Sequence, residues 1–419
     1  MRYATIPFLA GTILAAVSCT DRSPIAPSID PTAANAKVTT PGTGPWAKVV
    51  EGETGPGSQY ALYIPTQWNH EVIYYAHGIR PPNDPITLND QDNFFEVRDA
   101  LGAQGYAFAY SSFSENGLSV KDGAQRTHQL RGLVNSQLPD KAQRNYAVGY
   151  SLGGLVALEL GERYPSQYDG VLTMCGMVGG TPPEMQYIGD VRALFDFYYP
   201  GVMPGDVISV PGPALTIPEI QSRVIAAIMA NPAGLYAIAS TVQTPLAFAP
   251  VGSLTNPGST AFQTLVGSLV YALYYQAIGT ADVVDRTHGH SPYDNRTVTY
   301  TIGTPVIALP GLAQLVAASN AGVARYDSPP DAQNYLERNY TPTGNLTIPV
   351  VSVHNLWDPL VPFFHEGVLN GAASAAGGSA NLLQRAIPNW GHCNFSTPLV
   401  VSSLTSLAEW VRSGTKPTS

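Results

Sequence analysis

Residues 149–154 read Gly-Tyr-Ser-Leu-Gly-Gly, and Ser151 is the side chain from which a chemistry can first be argued. A serine hydroxyl is a poor nucleophile unless a base deprotonates it and a sharp turn presents it. The run Asn145-Tyr146-Ala147-Val148 before it reads as a buried strand, and Leu155-Val156-Ala157-Leu158-Glu159-Leu160 after it reads as a helix. A turn between them pushes the side chain out of the sheet and aims a helix N-terminus at developing negative charge. Gly149 and Gly153 leave room where a Cβ would strike the neighbouring strand or helix. In a chain with 40 glycines the bare G-x-S-x-G string means little. Its place between strand and helix makes it informative.

This strand, serine and helix resemble the α/β-hydrolase superfamily, in which an acid and then a histidine follow the nucleophile. Residues 348–353 have a buried-strand pattern, and the chain continues His354-Asn355-Leu356-Trp357-Asp358-Pro359-Leu360-Val361-Pro362. Asp358 matches the D-x-x-V-P setting of the superfamily's acid. The segment Pro388-Asn389-Trp390-Gly391-His392-Cys393-Asn394-Phe395 resembles its histidine loop. The resemblance implies Ser151 as nucleophile, His392 as general base and then acid, and Asp358 as the group that orients and stabilises the imidazole. It also implies an oxyanion hole of two main-chain N–H groups. One falls to Leu152; the other falls to Ile79, in the His77-Gly78-Ile79 loop that follows the strand-like Val72-Ile73-Tyr74-Tyr75-Ala76.

A closer resemblance covers most of residues 45–412. It includes Tyr60-Ala61-Leu62-Tyr63-Ile64-Pro65, Trp68-Asn69, Gly105-Tyr106-Ala107-Phe108-Ala109-Tyr110-Ser111-Ser112 and Tyr168-Asp169-Gly170-Val171-Leu172-Thr173-Met174-Cys175-Gly176. These segments look like the secreted tannase- and feruloyl-esterase-like hydrolases of bacteria. In that group paired cysteines flank the nucleophile and the histidine. Here Cys393 is kept beside His392, but Tyr150 precedes the serine, and Cys175 becomes the expected partner of Cys393 in a disulfide.

The elements that must hold these groups follow from the rest of the chain. It has 419 residues, 44% hydrophobic and 12% charged, enough for a large core with an insertion or a second domain. A net charge of −9 without basic clusters excludes nucleic acid as the expected partner. Met1-Arg2-Tyr3 and the apolar stretch from Ile6 to Val17 read as a signal peptide over residues 1–19, implying export to the periplasm, cell surface or medium. Ala16-Val17-Ser18-Cys19 resembles a lipoprotein box, so lipidation of Cys19, and with it a membrane tether, stands beside ordinary cleavage nearby. Residues 20–45, rich in Pro, Ser, Thr and Ala, read as a flexible linker.

An α/β fold is expected, with a mostly parallel central sheet flanked by helices. Its core falls to residues 46–180 and 346–419, and a mainly helical cap over 181–345 is inserted before the acid-bearing strand. Core helices are expected over 91–102, 122–134 and 398–413. Cap helices are expected over 188–198, 217–229, 261–278 and 331–339. Residues 260–279 carry no charge, but Gln263, Thr264, Ser268, Gln276 and three tyrosines favour a buried cap helix over a membrane span. His288 and His290 lack companion ligands at metal spacing and read as a polar loop. The expected reaction is hydrolysis of an uncharged or aromatic carboxylic ester, small or polymeric, without metal or cofactor. A serine exopeptidase of the same fold is the nearest alternative, with Glu184, Asp190, Asp196 or Glu219 available to bind a terminal amine. A non-catalytic surface binding protein is the more distant one.

Overall fold

A computed structural model describes residues 37–88, 94–211, 215–303 and 309–418. Its centre is a nine-stranded sheet: β1 (Val38–Pro41), β2 (Trp46–Gly55), β3 (Ser58–Pro65), β4 (Glu71–Ala76), β5 (Ala107–Ser111), β6 (Arg144–Tyr150), β7 (Gly170–Met174), β8 (Val350–Trp357) and β9 (Leu382–Trp390). The spatial order is β1-β2-β3-β5-β4-β6-β7-β8-β9. The first three strands join antiparallel. From β5 to β9 every neighbour is parallel. This is the mostly parallel, helix-flanked sheet expected for the α/β-hydrolase fold.

Parallel strands are covered on both faces, so they read as continuous apolar runs rather than alternating ones. In β4, Val72, Tyr74 and Ala76 face one core and Ile73 and Tyr75 the other. Helices α2 (Val120–Asn135) and α3 (Leu152–Arg163) cover the first face, while α1 (Phe94–Ala103) and α11 (Thr397–Ser413) cover the second. Between β7 and β8 the chain leaves the sheet for α4 (Thr181–Tyr198), α5 (Ile217–Ala230), α6 (Pro232–Ala239), α7 (Thr260–Arg286), α8 (Leu312–Gly322) and α9 (Pro330–Arg338). Helix α10 (Phe364–Ala376) then links β8 to β9. Cap and core pack as one compact unit.

Several elements differ from the sequence reading. The expected linker ends early: Val38–Pro41 pairs with β2 as an exposed edge strand, its β-branched Val-Thr-Thr outweighing the surrounding polar composition. Helix α4 starts at Thr181 rather than 188, because Pro182 and Pro183 occupy first-turn positions where a missing N–H costs nothing. Helix α7 runs to Arg286 rather than 278, its last turn held by an Arg286–Asp282 pair one turn apart. Among the described residues, no single helix is long and apolar enough to cross a membrane. The signal-peptide segment and Cys19 lie outside the described residues.

Candidate active site

The parallel strands end on a common edge, and the singled-out residues stand at those ends, where open α/β sheets bind ligands. Ser151 joins β6 directly to α3 with φ of 55°, a left-handed backbone that non-glycine residues seldom adopt. Its N–H donates to Met174 O at 2.9 Å, which ties the turn to the end of β7. The space around it is tight. A Cβ on Gly149 would lie 1.9 Å from Gly153 O, and one on Gly153 would lie 2.1 Å from Ala76 O. Glycine is required at both places because strand, turn and helix touch through main chain alone.

Asp358 follows β8 and His392 follows β9, and the β8–β9 pairing brings Trp357 opposite Trp390. The histidine loop is fastened to the acid strand by Gly391 N–H donating to Trp357 O and Asn355 Nδ2 donating to Gly391 O. Asp358 is fully buried, and its Oδ1 accepts the N–H groups of Leu360 and Val361 at 2.9 and 3.0 Å. His392 Nδ1 lies 2.8 Å from Asp358 Oδ2 and 3.0 Å from Oδ1. On the other side of the ring, Nε2 is 2.8 Å from Ser151 Oγ. With Nδ1–H donating to the carboxylate, Nε2 carries a lone pair and accepts a hydrogen bond from the Ser151 hydroxyl. The arrangement can deprotonate an alcohol and keep the resulting imidazolium beside an anion.

Cys175 and Cys393 are joined in a disulfide across 218 positions. Together with His392 they are the grouping with metal-ligand spacing among the described residues, but both sulfurs are consumed in the bond. Leu152 opens α3, so its N–H belongs to the first turn and has no partner inside the helix. The loop carrying His77, Gly78 and Ile79 lies against this turn, as the Gly153 contacts with Ala76 O and His77 O require. His77 donates from Nδ1 to Gly78 O and stacks on Phe113 at 3.8 Å. Burial, reinforced by Arg80, pushes its imidazole down to about 3, so it is a neutral support for the loop.

The structure adds two buried pairs to this edge. His354 lies on β8 rather than in the acid loop and meets Glu366 of α10; His365 of α10 meets Glu184 of α4 at 2.8 Å. His365 carries no local sequence signal, since its partner is 181 positions away. His290, read as a loop residue, pairs with Asp331. The four cap acids all have partners within the chain. Glu184 holds His365, and Asp190 accepts from Tyr293 and Tyr300. Asp196 pairs with Arg192, and Glu219 closes a capping box with Thr216. Over the site, α7 is tied to the histidine loop by Trp390 Nε1 donating to Ser268 Oγ at 3.3 Å. Beside that tie an open groove of about 600 Å³ runs between α5 and α7, lined by Ile225, Met229, Phe262, Val270, Tyr271 and Trp390.

Residues 103–203 match the Esterase family model ("Putative esterase"). No curated protein matches the sequence. Among solved structures, the chain resembles feruloyl esterase B from Aspergillus oryzae at 14% identity and a TM-score of 0.47, over 88% of this chain and 82% of that one. It resembles the rice cell wall degrading esterase of Xanthomonas oryzae at 13% identity and a TM-score of 0.38, over 87% and 85%. A third likeness is the Pyrococcus horikoshii acylaminoacyl peptidase, at 9% identity and a TM-score of 0.39, over 86% of this chain but 40% of that one.

Proposed function

We propose that this chain, which has the α/β-hydrolase fold, is a carboxylic ester hydrolase that cleaves through an acyl-enzyme on Ser151, and that the protein works outside the cytoplasm. The observation that carries the reading is the continuous hydrogen-bonded line from Ser151 Oγ through His392 to Asp358. Ser151 attacks the ester carbonyl as His392 Nε2 takes its proton. The main-chain N–H groups of Leu152 and Ile79 hold the oxyanion, a contribution of about 3–4 kcal/mol per donor in comparable sites. The imidazolium, stabilised by Asp358, returns its proton to the leaving alcohol. Water then repeats the sequence and frees the acid.

The lining of the groove beside Trp390 supports an uncharged acyl or aromatic substituent, since it offers aromatic and aliphatic surface and no charged side chain. The internal partners of Glu184, Asp190, Asp196 and Glu219 argue for an ester over a peptide with a free amine. Export is supported by the disulfide, which persists in oxidising compartments, and by the N-terminal segment.

The test is labelling by a fluorophosphonate probe, followed by a panel of p-nitrophenyl esters set against aminoacyl-p-nitroanilides. We expect labelling that disappears in Ser151→Ala and turnover of esters with short, aromatic or long acyl groups. Faster turnover of the anilides would install the peptidase instead. Absence of labelling in the parent protein would leave a binding protein on a hydrolase scaffold.

A further inference from the structure

Beside Asp358 stands a second imidazole, one that the reaction above does not use. His354, fully buried on β8, places Nε2 3.6 Å from Asp358 Oδ2. Each of its ring nitrogens faces acceptors. Nδ1 is 3.0 Å from Glu366 Oε1, and Nε2 is 2.8 Å from the carbonyl of Val361. Glu366 is itself occupied as an acceptor: Ser352 Oγ donates to Oε1 at 2.6 Å and Gln384 Nε2 to Oε2 at 2.6 Å. The same Gln384 nitrogen also donates to the Glu366 carbonyl, which fixes the orientation of the amide. A neutral imidazole carries one N–H and would set a lone pair against a carbonyl or a carboxylate. Against an ionised Glu366, only the imidazolium satisfies both contacts.

We infer that His354 is a positioning residue for the proposed reaction: a buried imidazolium, clamped by Glu366 and the Val361 carbonyl, that keeps a positive charge against Asp358 and aims the carboxylate at His392. The catalytic consequence rests on the triad reading; the charge on the ring does not.

The groups around His354 fit this assignment. Burial alone would lower its proton affinity, but the hydrogen bond and charge of Glu366, with the charge of Asp358, outweigh it and hold the imidazole above its usual range. Burial would raise Glu366, and the His354 contact reverses that and holds it below the usual carboxylate range. From α10, His365 is pushed down to about 3 by burial and then by the His354 charge. Its neutral form fits its contacts, because Gly179 N–H donates to Nδ1, leaving Nε2–H to donate to Glu184. From α4, Glu184 is driven toward its protonated form by burial and by Asp358, with His392 and His354 opposing. One cation, on His354, therefore lies 3.6 Å from the Asp358 oxygen that His392 Nδ1 approaches at 2.8 Å.

Two measurements test this. The first is the pH profile of kcat/KM for His354→Gln and for the double variant His354→Gln/Glu366→Gln, in which no buried carboxylate is left without a partner. Removing the cation raises the proton affinity of the Asp358–His392 couple, so the acidic limb moves to higher pH, by about one unit in the single variant and by less in the double variant, which loses the Glu366 anion as well. A lower kcat or melting temperature with the limb unmoved would overturn the positioning role. The second is nuclear magnetic resonance of the parent protein with ¹⁵N-labelled histidine, assigned by the double variant. Both nitrogens of His354 are expected to be protonated at pH 8; one unprotonated nitrogen would overturn the charge assignment. Because this readout needs no turnover, it stands even if Ser151→Ala leaves activity intact and the triad reading falls.

Discussion

Gly153→Ala measures how closely the nucleophile turn is seated on the sheet. The new Cβ would lie 2.1 Å from Ala76 O and 2.5 Å from His77 O, both main-chain atoms at the end of β4. Relief to a tolerable 3.0 Å requires a displacement of 0.9 Å (3.0 − 2.1), with no flexible side chain able to absorb it. If α3 moves, Ser151 and Leu152 move with it; if β4 moves, the His77–Ile79 loop moves instead. Either response spoils the register between Ser151 and the main-chain N–H groups of Leu152 and Ile79 proposed as oxyanion donors. A misplacement of about 1 Å costs on the order of 100-fold in rate, or about 2.7 kcal/mol of barrier. Overpacking adds a stability loss of about 1–3 kcal/mol. The assay is kcat/KM on a p-nitrophenyl ester, with fluorophosphonate titration to count competent sites and thermal melting to track folding. Gly132→Ala serves as the control, since a Cβ there meets nothing within 4 Å on α2. It should leave kcat/KM unchanged and add up to about 1 kcal/mol of stability. A Gly153→Ala protein that melts normally and turns over within about threefold of the parent would refute the argument.

Two further perturbations read other parts of the same assembly. Replacing both Cys175 and Cys393 by serine opens a loop closed across 218 positions, a loss of at most about 5 kcal/mol by chain entropy. Because Cys393 adjoins His392, kcat should fall more than KM rises; full kcat with a lowered melting temperature would show that the bond staples the fold without holding the histidine. On α3, Glu159 is buried with Oε1 2.7 Å from Arg163, and burial pushes its carboxyl up to about 7 from 4.5, against the pull of Arg163. The folded state thus keeps a proton that the unfolded state has released. Stability falls as pH rises from about 4.5 to 7, and the penalty, about 3 kcal/mol for a shift of 2.5 (7 − 4.5), is complete above that. Glu159→Gln should recover roughly 1–3 kcal/mol in urea unfolding at pH 8 and flatten that window. Equal or lower stability of the glutamine variant at pH 8 would contradict this.

What the sequence disclosed depended on how local each signal was. The turn at Ser151 writes its requirements into five consecutive residues, so it was readable without any fold. Helices α5, α7 and α9 announced themselves through apolar spacing, whereas α8, with its Ala-Gln-Leu-Val-Ala-Ala-Ser-Asn, has too little amphipathic contrast to separate it from loop. Helix α6 is a short helix begun by Asn231-Pro232, which reads equally well as a turn. The His354–Glu366 contact needs the chain to turn from β8 into α10, and the Glu184–His365 contact needs the cap folded back on the core. Neither distance is encoded in spacing. Composition misled at residues 38–41, where the β-branched Val38-Thr39-Thr40 pairs with β2 as an edge strand.

The strained backbone of the site shows why these long-range contacts matter. Ser151, Cys175 and Cys393 all hold positive φ, at 55°, 47° and 52°. Such residues cost about 1–3 kcal/mol each and persist only where their surroundings over-determine them. Here the surroundings can be named. Ser151 N–H is bound to Met174 O, Cys175 N–H to Val353 O at 2.8 Å, and Met177 N–H to Ser151 O at 3.4 Å. The first two bonds tie β6 to β7 and β7 to β8, the third folds the residues after β7 back on the serine turn, and the disulfide ties Cys175 to the histidine loop. The strain at the serine is therefore borne by the carboxyl edge of the whole parallel sheet rather than by the turn alone. An edge held in this way keeps its alcohol, imidazole and carboxylate in line before any substrate arrives.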